Sequence, residues 1–93
     1  MSITFEWDSD KANSNWHKHQ VTFEEASSVF LDDFARLMPD PDHSLHERRF
    51  LVLGISHLHR LLVVCHCDRK HGTVIRIISA RKATGREARN YLG

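Results

Sequence analysis

Residues 73–84 read Thr73-Val74-Ile75-Arg76-Ile77-Ile78-Ser79-Ala80-Arg81-Lys82-Ala83-Thr84. Val74, Ile75, Ile77 and Ile78 are β-branched and stiff at χ1, so the run predicts a strand over Thr73–Ala80 that is buried on both faces. Arg76 interrupts it, and Arg81 and Lys82 stand at its exit. A guanidinium inside a core strand needs an anion, either a carboxylate of the same chain or a phosphate from outside.

On the C-terminal side, Thr84-Gly85-Arg86-Glu87 has the spacing of a capping box and starts a short last helix, with Ala88, Tyr91 and Leu92 on its inner face. On the N-terminal side, Arg48–Ile55 and Arg60–Asp68 read as two further strands joined to their neighbours by short loops. Loops of that length make hairpins, so the sheet is expected to be an antiparallel meander of about four strands, with Phe34–Met38 as a short edge strand. The stretch Pro39-Asp40-Pro41-Asp42-His43-Ser44 is linker-like, too short to separate domains and placed to flank a groove.

At the front, Ile3–Trp7 reads as a short strand, and Asp8 or Ser9 caps a helix running to about His19. Ala12, Trp16 and His19 make one of its faces; Lys11, Asn15 and Lys18 make the next. Thr22 and Glu25 form another capping-box pattern with Val21 stapled over Ala26, which predicts a second helix over Phe23–Leu31 burying Phe23, Ala26 and Phe30. The expected class is therefore α+β: two N-terminal helices packed on the meander, with a short C-terminal helix.

The 93 residues suit one domain, 1–93, burying somewhat over ~60% of its unfolded surface. No apolar run approaches the roughly 20 residues of a membrane span. The opening MSITFEWD has neither the basic nor the apolar region of an export signal, so the cytoplasm is the expected location. Cys65 and Cys67 lie two apart in a strand, point the same way and read as reduced core residues. The net charge of +1 hides a segregation: residues 1–59 hold five Lys/Arg against ten Asp/Glu, and residues 60–93 hold eight against two. That asymmetry suggests a basic surface for a polyanion, unless folding interleaves and pairs the charges.

Several chemistries lack their residues. The eight histidines and two cysteines form no spaced zinc knuckles, and four glycines supply no phosphate-cradling loop. Ser79 lacks the sharp turn that exposes a nucleophile. What remains is a basic constellation: Arg76, Arg81 and Lys82 on or past the strand, Arg86 and Arg89 on the last helix, Lys11 and Lys18 on the first. RNA cleavage without a metal needs a base for the ribose 2′-hydroxyl, cations for the phosphorane and an acid for the 5′-oxygen. Against this stands a plainer account in which Arg76 only pairs with Glu6, Glu24, Glu25 or Glu47. His19, His66 and Tyr91 are likewise either proton-transfer groups or structural residues.

The segments FEWDSDKANSNWHKHQV, FEEASSVF, MPDPDHS, RRFLVLGIS, RLLVVCHCDR and IRIISARKATGREARNYLG resemble, in this order, the BrnT family of bacterial type II toxins. The resemblance implies a fold similar to the RelE/ParE superfamily, a ribonuclease activity that blocks translation, and a BrnA-like antitoxin whose DNA-binding domain autoregulates the operon. The family pattern falls on Lys11, Lys18 and His19, and on Arg76, Arg81, Lys82, Thr84, Glu87 and Tyr91. Of these, Thr84 and Glu87 read as caps. Catalysis is expected of Arg76, Arg81, Lys82 and Lys11, with His19 and Tyr91 as proton-transfer candidates; Lys18, Arg86 and Arg89 would bind RNA. No cofactor or metal is expected, and the RNA would be met free or on the ribosome. The alternatives are a non-catalytic toxin that binds a protein target such as DNA gyrase, or a co-repressor in the antitoxin complex.

The chain departs from the family pattern at three places. Gln20 replaces the usual Gly after Lys-His, which asks for a different helix cap. Gly85 stands where a basic residue is common. Cys65-His66-Cys67 replaces aromatic or β-branched residues, leaving His66 as a peculiarity or an extra base.

Overall fold

A computed structural model describes residues 3–39 and 49–91. The elements run β1 (Thr4–Glu6), α1 (Ser9–His19), α2 (Phe23–Ser28), β2 (Arg36–Pro39), β3 (Arg49–Ile55), β4 (Leu61–Arg69), β5 (Val74–Lys82) and α3 (Gly85–Ala88). The single sheet has the order β1-β5-β4-β3-β2. Strands β2 to β5 form the expected antiparallel meander, but β1 adds beside β5 in parallel, with Thr4 to Glu6 registered on Val74 to Arg76. The sheet is therefore mixed and five-stranded, and the purely antiparallel, four-stranded expectation is corrected at its first strand. A parallel neighbour needs a long crossover, which α1, α2 and the meander supply. The residues Asp40 to Arg48, with most of the linker-like loop and Glu47, lie outside the described residues, as does Leu92.

One sheet face carries the main core. Val52, Leu62, Val64, Ile75, Ile77 and Ala80 from the strands meet Val21, Phe23, Ala26 and Val29 from the helical layer, with Phe5, Trp7, Ala12, Phe30 and Ala35 around them. Gly54 lets β3 pass close beneath this layer, because a Cβ there would lie 2.8 Å from Val29 Cγ1. The opposite face buries Leu53, Val63, Cys65 and Cys67, and both thiols are free. The chain after β5 returns to the β2 side, where Arg36 Nη1 donates to the Asn90 carbonyl at 2.6 Å. No described helix is long and apolar enough to cross a membrane.

The helices follow their caps, with corrections. Asp8 caps α1 by accepting from Lys11 N, and Gln20 closes it in the left-handed region (φ 54°) that glycine would otherwise take. Its side chain donates back to the carbonyls of Trp16 and His17. The buried residue of α1 is Asn15, with Ala12 and His19 half-buried beside it, whereas Trp16 is 49% exposed, so the helix turns an Ala12-Asn15-His19 line inward and leaves Lys11 and Lys18 exposed at its rim. The second helix is regular only to Ser28 and tightens into a 3-10 turn over Val29–Leu31. Thr22 accepts from Glu25 N as expected, but the Glu25 carboxylate does not complete the box. It is 98% buried as a side chain and takes hydrogen bonds from Ser56 Oγ (2.7 Å) and Arg60 Nε (2.8 Å) instead. The Thr84–Glu87 box is complete.

Candidate functional site

The strand β5 is not regular. His66 pairs with Ile77 and Cys65 with Ser79, so Ile78 is an extra residue bulged out of the ladder. In a regular strand Arg76 and Arg81, five positions apart, would point to opposite faces. The bulge changes the parity: their partners Cys67 and Val63 stand four apart on β4, and both arginines lie over one face. Four strand steps separate them, about 13 Å between backbones. Lys82, next to Arg81, points to the other face at the strand end and is exposed.

Beyond Arg76, β1 has ended and the outer edge of β5 lacks a strand partner. Asn15 takes its place. Its Oδ1 accepts from Ala80 N (2.9 Å), and its Nδ2 donates to Ala80 O (2.8 Å) and to Val21 O (2.9 Å). The amide thus copies a strand's paired donor and acceptor and fixes α1 against the bulge. Lys11 and Lys18, one helical turn to either side of Asn15, are held beside it. With Ser14, Asn15, His19, Ile78 and Ser79 they line a surface pocket of about 180 Å³. Sequence reasoning named Lys11, Lys18 and His19 but read Asn15 as one more residue of a polar stripe. The bulge left no mark in the sequence beyond the run of isoleucines.

Both face arginines have carboxylate partners. Arg76 Nη1 lies 3.0 Å from Glu6 Oε2, one of the pairings anticipated for it, and Arg69 Nε approaches the same oxygen at 3.4 Å. Arg81 forms a two-pronged pair with Glu87, at 2.7 and 2.8 Å. Hydrogen bonding from Arg81, with burial opposing it, brings the Glu87 carboxyl down to about 2, and the same bond raises Arg81. Glu87 therefore has two tasks, capping α3 and orienting Arg81. Arg86 and Arg89 are exposed on and just past α3.

Tyr91 is not brought to this cluster. Its hydroxyl donates to Asp32, which also accepts from Phe34 N and from the Ile55 amide at the end of β3, two strands from β5. That hydrogen bond to a carboxylate, with burial, pushes the phenol up to about 12. His66 is also elsewhere. Its register with Ile77 places it on the helical face, edge-on to Phe30 at 4.8 Å and 97% buried, and burial pulls its imidazole down. Among the described residues no three His, Cys, Asp or Glu side chains come together to hold a metal.

The crystal structure of the ribonuclease toxin BrnT of Brucella abortus matches with a TM-score of 0.69 over 89% of this chain and 99% of that one, at 19% identity, a likeness of fold. No curated protein matches. A family model described as "Ribonuclease toxin, BrnT, of type II toxin-antitoxin system" matches residues 7–87, which include α1, the bulged strand and Arg81 with Glu87. The chain belongs to the BrnT family of type II toxin–antitoxin ribonuclease toxins.

Proposed function

We propose that this chain is a metal-independent endoribonuclease that arrests translation in the cytoplasm by cleaving RNA. The observation that carries the reading is the β5 bulge, which sets Arg76 and Arg81 over one face while Asn15 holds Lys11, Lys18 and His19 beside the bulge. Guanidinium and ammonium groups supply there the positive charge that a cleaved phosphodiester needs in its transition state. Arg76 and Arg81 stand at two positions along one bound strand, with Lys11 between them and Lys18, Lys82, Arg86 and Arg89 guiding the backbone. RNA phosphates compete with Glu87 for Arg81 and share Arg76 with Glu6, so binding trades part of the internal ion pairing for external contacts.

Membership of a type II family implies an antitoxin, and we place it at the β2 edge. Leu37 on β2 and Phe34 in the turn before it are each 63% exposed, and among the described residues no strand pairs with the outer edge of β2, which can accept an added strand. A BrnA-like partner with a DNA-binding domain would bring operator DNA to the complex. The test is induction of the chain without antitoxin in a bacterial host. Growth arrest with RNA fragmentation is expected from the wild type, and neither from Arg81→Ala at equal expression. Arrest with intact RNA would instead indicate a protein target.

A further inference from the structure

Cleavage at this face needs an acceptor for the 2′-hydroxyl proton, and the inference that follows rests on the ribonuclease reading. Tyr91 is tied to Asp32 two strands away, and His66 faces the core. Glu6 is the last residue of β1 and is registered on Arg76, so its side chain lies over the face that carries Arg81. Arg76 and Arg69 both contact its Oε2, and among the described residues Oε1 has no partner. The side chain keeps 38% of its surface open to solvent. Two guanidinium groups against one carboxylate leave this small cluster with a surplus positive charge. A purely structural pair would need only one of them. One carboxylate oxygen is thus anchored and the other is open, beside two cations suited to a phosphate.

We propose that Glu6 is the proton acceptor of the cleavage reaction, with Arg76 and Arg69 holding the scissile phosphate. Oε1 takes the proton of the ribose 2′-hydroxyl as the 2′-oxygen bonds to phosphorus. The bond from phosphorus to the 5′-oxygen breaks, and that oxygen takes a proton from water. The products are a 2′,3′-cyclic phosphate and a 5′-hydroxyl, with no change of oxidation state.

The experiment pairs single-turnover cleavage at saturating RNA with binding of the same sequence as uncleavable 2′-O-methyl RNA. Glu6→Gln keeps the shape and removes the base, so the rate falls by at least about 100-fold, while 2′-O-methyl RNA binds as tightly or more tightly. Glu6→Asp keeps the charge but withdraws it by one methylene. It is expected to bind normally and cleave at least about tenfold more slowly, which covers the case of a Gln variant that fails to fold. Either folded variant cleaving within about threefold of wild type overturns the assignment. So does weakened binding with an unchanged saturating rate, the signature of a structural ion pair. A wild type that cleaves no RNA, free or on the ribosome, overturns the ribonuclease reading itself, a result distinct from the other two.

Discussion

Replacing Asn15 by alanine should weaken the domain more than any single change on its first helix. The side chain makes three hydrogen bonds of 2.8 to 2.9 Å to backbone groups of Ala80 and Val21, both residues wholly buried. Alanine leaves the Ala80 N–H and two carbonyls without partners. A hydrogen bond contributes about 1 kcal/mol net, and a stranded buried donor costs about 1–3 kcal/mol, so the loss should reach roughly 3–5 kcal/mol. In a domain of this size that corresponds to a fall in Tm of more than about 10 °C. Urea and thermal unfolding followed by circular dichroism measure it. Affinity for 2′-O-methyl RNA should fall as well, because this clamp fixes the part of α1 that carries Lys11 and Lys18 beside the bulge. A change below about 1 kcal/mol would refute the reasoning, showing either that water replaces the amide or that α1 does not need it.

Arg60→Ala should cost about 3 kcal/mol in urea unfolding, since it strands the Glu25 carboxylate, 98% buried, with Ser56 as its remaining side-chain donor; a loss within experimental error would contradict the ion-pair account. Acid should destabilise the fold. Glu87 is lowered to about 2, and Glu25 is lowered by its Arg60 bond, so both contribute stability that is complete above the ordinary carboxylate range and is lost as pH falls through their folded values. For the part-exposed Arg81–Glu87 pair the screened contribution is about 1 kcal/mol, and Glu87→Gln should reduce by that amount the loss of unfolding free energy between about pH 4.5 and 2. Tyr91→Phe should lose about 1–2 kcal/mol with its bond to Asp32 and leave RNA cleavage unchanged; abolished cleavage in a folded variant would restore Tyr91 as a catalytic acid.

Much of the fold was legible because local signals agreed with one another. Asp8, Thr22 and Thr84 start the three helices where their side chains predict, and the β-branched runs became β3, β4 and β5 with ends shifted by a residue or two. What the sequence hid was non-local. Nothing in Thr4-Phe5-Glu6 says that this strand joins the far side of β5, because pairing in parallel depends on how the chain wraps. On α1, Ala12 packs against the core as expected, but Trp16 was misjudged because tryptophan is the larger apolar residue, and satisfying the open edge of β5 put the Asn15 amide inward instead. Glu25 sat at a capping position but, buried itself, served the half-buried Arg60. In the candidate site the residue types were readable, while their grouping depended on the one-residue bulge at Ile78. That bulge joined Arg76 to Arg81 on one face.

The central claim is that the bulged strand and its clamped helix form one RNA-cleaving surface. End-labelled RNA incubated with the antitoxin-free chain in EDTA, with and without ribosomes, tests it most directly when run beside folded Arg76→Ala and Arg81→Ala variants. The account predicts cleavage by the wild type that survives chelation and falls by at least about 100-fold in each variant. Cleavage that EDTA abolishes, or that both variants retain, would contradict it.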